Sequence, residues 1–134
     1  YHVMIGDNLQ SISVGIDLIE INRIAKTLER FGDRFLQRIY TESEILYCRR
    51  RAPQLAARFA AKEAVMKALG TGARGVAWKE IEVTRKSSGQ PQVKLHGKAA
   101  KIAEKLNIRN IAISLSHSRE YATASVIGQS HENC

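Results

Sequence analysis

Arg58-Phe59-Ala60-Ala61-Lys62-Glu63-Ala64-Val65-Met66-Lys67-Ala68-Leu69-Gly70-Thr71-Gly72 is the stretch on which the rest of the chain is read. At about 100° per residue, Phe59, Met66 and Leu69 fall within about 40° of Leu55 and mark a buried helical stripe. Lys62 falls in the middle of that stripe. Glu63 lies about 80° round, on its edge, with Lys67 one turn on and the small Ala56 and Ala60 beside them, leaving room for something to approach. A Glu63–Lys67 ion pair on a solvated face, with Lys62 laying its stem over apolar neighbours, is the plainer explanation of these charges. The ending favours a site. Gly70-Thr71-Gly72-Ala73-Arg74-Gly75 offers unobstructed backbone amides beside a cationic helix, which suits a phosphate, although Gly70 is also what a helix C-terminus commonly takes.

Upstream, Ser11 to Asp17 alternates as a strand, with Ile12, Val14, Ile16 and then Leu18 on one face and Ser13, Gly15 and Asp17 on the other. From Glu20 to Phe31, Ile21, Ile24, Leu28 and Phe31 recur at helical spacing, while Arg23, Lys26 and Arg30 line the opposite face. A short helical piece carries Arg34 and Arg38. Thr41-Glu42-Ser43-Glu44 is a capping box for a helix to about Arg50, and Pro53 opens the long helix. Downstream, Ile81 to Lys86 and Gln92 to Leu95 read as strands joined by Ser87-Ser88-Gly89-Gln90-Pro91, Gly97 to Leu106 as a helix, and Asn110 to Ser116 and Tyr121 to Ile127 as a hairpin with His117 at its mouth. Helices gather in the first half and hairpins in the second. The fold class is therefore α+β, helices packed on a small antiparallel sheet.

At 134 residues, 44% hydrophobic and 25% charged, the chain has the composition of one globular domain. The domain is assigned to 11–128, with 1–10 a tail or remnant that starts at Tyr rather than Met, and 129–134 a C-terminal tail. Twenty-one Lys and Arg against thirteen Asp and Glu give a net charge of +8, so the partner is anionic. Cys48 and Cys134 have no spacing that suggests a disulfide framework or zinc site, which fits a reducing cytoplasm. No apolar run approaches ~20 residues, so no membrane span is expected.

Gly15-Ile16-Asp17-Leu18 followed by Arg23, together with Arg58-Phe59-Ala60-Ala61-Lys62-Glu63-Ala64 and Lys67-Ala68-Leu69-Gly70-Thr71-Gly72, closely resembles the two signature motifs of the bacterial holo-acyl-carrier-protein synthases. Ile81-Glu82-Val83, Gly89-Gln90-Pro91 and Ser114 to Ala122 resemble the family's later strands, in matching order from Val14 to Ile127. The resemblance implies a 4'-phosphopantetheinyl transferase of fatty acid biosynthesis. Such an enzyme moves the phosphopantetheine arm of coenzyme A onto a serine of acyl carrier protein and releases adenosine 3',5'-bisphosphate. It also implies Mg²⁺ held by Asp17 and Glu63, a pair that suits a hard ion taking few carboxylates plus substrate phosphate. From local sequence, Asp17 is equally well placed as a helix cap.

Further roles are carried over by the same resemblance. Lys67, with Lys62 nearby, faces the phosphates, and Gly70 and Gly72 belong to the coenzyme A site. Arg58 meets a nucleotide phosphate, Gly89 and Pro91 form the loop against the adenine, and His117 contacts the nucleotide. Glu63 or a metal-bound water takes the serine proton. Arg23, Lys26 and Arg30, extended by Arg34, receive the acidic carrier protein, and the family's homotrimer builds each site between neighbouring subunits. Two rival classes remain: a basic phosphate- or nucleic-acid-binding module, which the 6% aromatic content equips poorly for base stacking, and a noncatalytic scaffold, which leaves Asp17 and Glu63 without purpose.

Overall fold

The computed structural model describes the backbone of residues 2–5, 10–72 and 75–131, and side chains over 11–72 and 75–130. Ala73, Arg74 and Cys134 lie outside the described residues. In chain order the elements are β1 (His2–Ile5), β2 (Gln10–Glu20), α1 (Ile21–Phe31), α2 (Asp33–Ile39), α3 (Glu42–Cys48) and α4 (Ala52–Leu69). A 3-10 turn (Trp78–Glu80), β3 (Ile81–Arg85), β4 (Pro91–Leu95), α5 (Gly97–Lys105), β5 (Ile108–His117) and β6 (Tyr121–His131) follow. One antiparallel sheet has the order β1-β2-β6-β5, and β3-β4 forms a separate hairpin. The α+β class holds. The large sheet also runs past the span read from the sequence, since His2–Ile5 pairs with residues 10–13 and β6 continues to His131.

Local sequence explains the element ends. Thr41 and Glu44 close a complete capping box on α3, Pro53 sits in the first turn of α4, and Gly70, at φ 74°, ends α4 in the left-handed conformation that suits glycine. The α1 helix starts at Ile21 with Glu20 at its cap position. Asp17 therefore lies inside β2, paired with Ala124, and is not a helix cap.

The core is where α4 lies on β2 and β6. Gly15 makes that approach close: a Cβ there would stand 1.8 Å from the Ala64 carbonyl oxygen and 3.1 Å from Ala68 N. Opposite it, α4 offers Ala56, Ala57, Ala60, Ala61, Ala64 and Ala68, all buried. The room foreseen beside Ala56 and Ala60 is thus filled by the sheet, and α4 is buried nearly all round rather than along one stripe. Gly15→Ala should cost about 2–3 kcal/mol by overpacking, read as a lowered urea midpoint, because backbone rather than a movable side chain meets the new methyl.

The two faces of β2 are unequally covered. Ser13, Gly15 and Ile19 are buried, whereas Val14, Ile16 and Leu18 are 39%, 61% and 63% exposed, beside the exposed Ile127 that pairs with Val14. The more apolar face of the strand therefore looks away from this chain's own core. Surface apolar residues are common singly, but a contiguous row on a central strand marks an interaction surface.

The hairpin β3-β4 is tied to α3 through Glu82. Its carboxylate accepts hydrogen bonds from Ser43 Oγ (2.6 Å) and Thr41 Oγ1 (2.7 Å) and lies 3.0 Å from His96 Nε2. These contacts, that of Ser43 foremost, hold its pKa down at about 2. A carboxylate depressed in the folded state contributes stability above its unfolded pKa of about 4.3, and that contribution fades as pH falls towards 2. Glu82→Gln should therefore flatten the decline in urea midpoint between pH 5 and 2.5.

Candidate active site

Two groups of the predicted site residues assemble, on different sides of α4. The first joins β2 to α4. Lys67 Nζ donates to Asp17 Oδ1 at 3.1 Å and to the Ile16 carbonyl at 2.9 Å. Glu63, one turn before Lys67, is half-buried. Its pKa is raised by burial and by the nearby Asp17 charge, against the pull of Lys67 and Arg23. Two carboxylates therefore repel each other beside one lysine, an arrangement a divalent cation would relieve. Among the described residues no cluster of three or more Asp, Glu, His or Cys suited to a metal occurs. Two hard oxygen donors fit an ion such as Mg²⁺, which takes its remaining ligands from substrate and water, and do not fit a closed four-ligand zinc site.

The second group lines a cavity of about 230 Å³ formed by Tyr47, Gln54, Ala57, Arg58, Arg85, Pro91, Leu115, Ser116 and His117. Arg58, Pro91 and His117 were read from the sequence; Tyr47, Gln54 and Arg85 were not. Arg58 is 4% exposed, its guanidinium 4.4 Å from the centre of the Tyr47 ring, and Arg51 and Arg85 approach the same ring at 5.5 and 5.1 Å. Arg58 Nε is buried without a hydrogen-bond partner. Two guanidiniums of the lining, Arg58 and Arg85, stand against one ring, and Arg58 has an unused donor, which suits this cavity to a phosphorylated ligand with a flat ring. Gly89, at φ 91°, shapes the adjoining turn: its N–H donates to Lys86 O and its carbonyl accepts from Arg85 Nε.

Geometry separates the groups. From Arg58, Glu63 lies about 140° and Lys67 about 180° round the helix, while Gln54 stands one turn away on the cavity's side. A single copy thus presents the carboxylates and the cationic cavity on opposite flanks of α4.

Two expectations change. Lys62 does not reach a phosphate: its side chain is fully buried, and Nζ donates to Glu44 Oε1 (2.8 Å), Trp78 O (3.1 Å) and Ile81 O, spending all three donors. Gly70 N donates to Lys67 O and Thr71 N to Met66 O, so these amides close the helix end and are not free to cradle an anion. That end also carries the negative pole of the helix dipole. Gly72 is exposed at φ 59°, and its assignment to the coenzyme A site stays a proposal.

Arg23, Lys26, Arg30 and Arg34 are all exposed on α1 and α2. Beside them a groove of about 290 Å³ is lined by Thr27, Phe31, Arg34, Phe35 and Arg38, with Phe31 46% exposed. Phe31 and Arg38 were legible as types but not as members of this surface. A larger cavity, about 540 Å³, between β4, α5 and β5 contains none of the predicted residues. No helix among the described residues is long and apolar enough to cross a membrane.

Known proteins share this sequence and fold. The chain is 53% identical over 120 residues to the holo-[acyl-carrier-protein] synthase of Koribacter versatilis, covering 87% of this chain and 96% of that one. Its fold superposes on Helicobacter pylori holo-[acyl-carrier-protein] synthase in complex with coenzyme A, with a TM-score of 0.79 and 32% identity over 86% of this chain and 98% of that one. A Bacillus anthracis holo-(acyl-carrier-protein) synthase in complex with CoA (3',5'-ADP) gives a TM-score of 0.72 and 37% identity, covering 88% and 96%. The family model of the 4'-phosphopantetheinyl transferase superfamily matches residues 13–126. With a shared sequence across nearly the whole relative, a shared fold and a family model that matches most of its length, the chain belongs to the 4'-phosphopantetheinyl transferase superfamily.

Proposed function

We propose that this protein transfers the 4'-phosphopantetheine arm of coenzyme A to a serine of acyl carrier protein, releasing adenosine 3',5'-bisphosphate. The observation that carries the reading is the convergence of Asp17 and Glu63, from β2 and α4, around Lys67. Asp17 and Glu63 would hold Mg²⁺, which when bound supplies charge neutralisation for a pyrophosphate. Lys67 stands where a flexible cation can turn from Asp17 to the phosphates and stabilise charge on the leaving group. Glu63, whose surroundings raise its proton affinity, is placed to accept the serine proton.

The cavity of Arg58, Pro91 and His117 holds the nucleotide end of coenzyme A. The exposed row Arg23, Lys26, Arg30 and Arg34 steers an acidic carrier, with electrostatics acting mainly on encounter rate. Because cavity and carboxylates lie on opposite flanks of α4, one coenzyme A bridges a cavity from one copy and carboxylates from its neighbour. The bare apolar face of Val14, Ile16, Leu18 and Ile127 is the surface through which copies join, in a homotrimer. A purely nucleic-acid-binding reading leaves an acidic pair beside the proposed phosphate path, where it would repel.

The test is direct. Incubated with coenzyme A, apo acyl carrier protein and Mg²⁺, the protein should raise the carrier's mass by one phosphopantetheine, and chelator should abolish the gain. An unchanged carrier mass, with the same carrier modified by a known transferase, defeats the reading.

A further inference from the structure

Lys62 is the one cation of the long motif that the transfer reading leaves without work. Its partner Glu44 is equally hidden, both side chains being 0% exposed. Each is fully used. Lys62 Nζ meets Glu44, Trp78 O and Ile81 O, while Glu44 also accepts from Thr41 N (2.8 Å) and Val83 N (2.8 Å). One buried pair therefore ties α4 to α3, to the 3-10 turn and to β3. Burial pulls the lysine pKa below its ordinary value and Glu44 opposes that pull. Removing two charges from water costs more than their attraction ordinarily returns, so a pair like this is poor material for stability alone.

What α4 lacks is registration. Six of its twelve buried residues are alanine, and the alanine face it turns to β2 at Gly15 has few knobs to fix its rotation against the sheet. A directional, fully satisfied ion pair supplies what the methyl groups cannot. Glu63 is the next residue, about 100° round from Lys62, and Arg58 lies one turn before it. Small rotation of α4 would swing Glu63 away from Asp17 and Arg58 off the Tyr47 ring together.

The geometry points to Lys62 and Glu44 as positioning residues that lock the rotation of α4, so that Glu63 faces Asp17 and Arg58 faces the nucleotide cavity. This rests on the transfer reading above. The test separates position from stability with the double variant Lys62→Met/Glu44→Gln, which removes both charges, beside the single Lys62→Met, which strands Glu44. Unfolding midpoints, kcat, KM for the carrier and Mn²⁺ affinity by electron paramagnetic resonance are measured for each, well below every midpoint. The double variant should regain most of the stability lost by the single one. Its kcat should nevertheless stay at least tenfold below wild type and its Mn²⁺ affinity at least fivefold weaker, with carrier KM within twofold.

Wild-type kcat and Mn²⁺ affinity in the stable double variant would overturn the proposal. Should that variant fail to fold, Lys62→Arg, which keeps the charge but displaces its donors, is read by the same two quantities: a tenfold loss in kcat with weaker Mn²⁺ binding supports the lock, and values within twofold of wild type overturn it. Absence of transfer by the wild-type protein would instead remove the parent reading.

Discussion

Two inactive variants should recover activity when their subunits are mixed. Asp17→Asn removes a carboxylate from one flank of α4, and His117→Glu places a negative charge in the cationic cavity on the other. Each alone should lose at least about 100-fold in kcat. If every site takes its carboxylates from one copy and its cavity from the next, random mixing of equal amounts leaves both halves intact at about one boundary in four. Co-expressed variants should therefore show about one quarter of wild-type activity, with the separately purified proteins mixed without subunit exchange as the control. Activity no greater than the sum of the parents would place the whole site within one chain. The opposed flanks of α4 and the bare apolar face of β2 are the features that such a shared site would use.

Glu63→Gln should be nearly inactive and yet at least as stable. Burial and the Asp17 charge raise the pKa of Glu63, so its ionised form is disfavoured by the fold. The sign follows from proton linkage. A carboxylate raised in the native state stabilises the fold below its unfolded pKa, and that contribution is lost as pH rises through the folded value. At neutral pH the charge remains a burden, discounted because Glu63 is only half-buried. Replacing it with neutral Gln should raise the metal-free thermal midpoint by roughly one to three degrees. The same change deletes the proposed metal ligand and proton acceptor, and should lower kcat by about 10³ and abolish measurable Mn²⁺ binding. A variant that is inactive and also less stable would deny the electrostatic strain between the two carboxylates. One retaining transfer would remove Glu63 from the chemistry.

The sequence makes the main elements legible because their local signals agree. The α3 capping box, Pro53 and Gly70 mark helix ends by backbone chemistry that acts within a few residues, and the structure keeps all three. β2 is also correctly read as two alternating faces. Which face its own core covers is a different matter, because small Ser13 and Gly15 meet an alanine-rich helix while Val14, Ile16 and Leu18 stay bare. Hydrophobic alternation reports that a face is to be buried, not by which molecule.

The same limit explains Lys62. Its place on the buried stripe is visible in the helical period, but its partner Glu44 already has a complete local explanation as a helix cap, and nothing in the local pattern reveals that the cap also neutralises a distant lysine. Asp17, Glu63 and Lys67 converge in space, whereas Gly70 serves the helix end. Tyr47 escapes notice for a related reason. A tyrosine on a short helix is ordinary until three arginines, from the α3–α4 connection, α4 and β3, gather round it, which only the tertiary arrangement brings about.

If copies share their sites as proposed, the opposed flanks of α4 would make dilution itself an inhibitor. A solitary copy, correctly folded and holding coenzyme A by its nucleotide, would present the reactive pyrophosphate to no carboxylates, while its own carboxylates would wait for a cofactor tethered elsewhere. Specific activity should then depend on enzyme concentration, and a cell making too few copies would lose turnover faster than it lost protein.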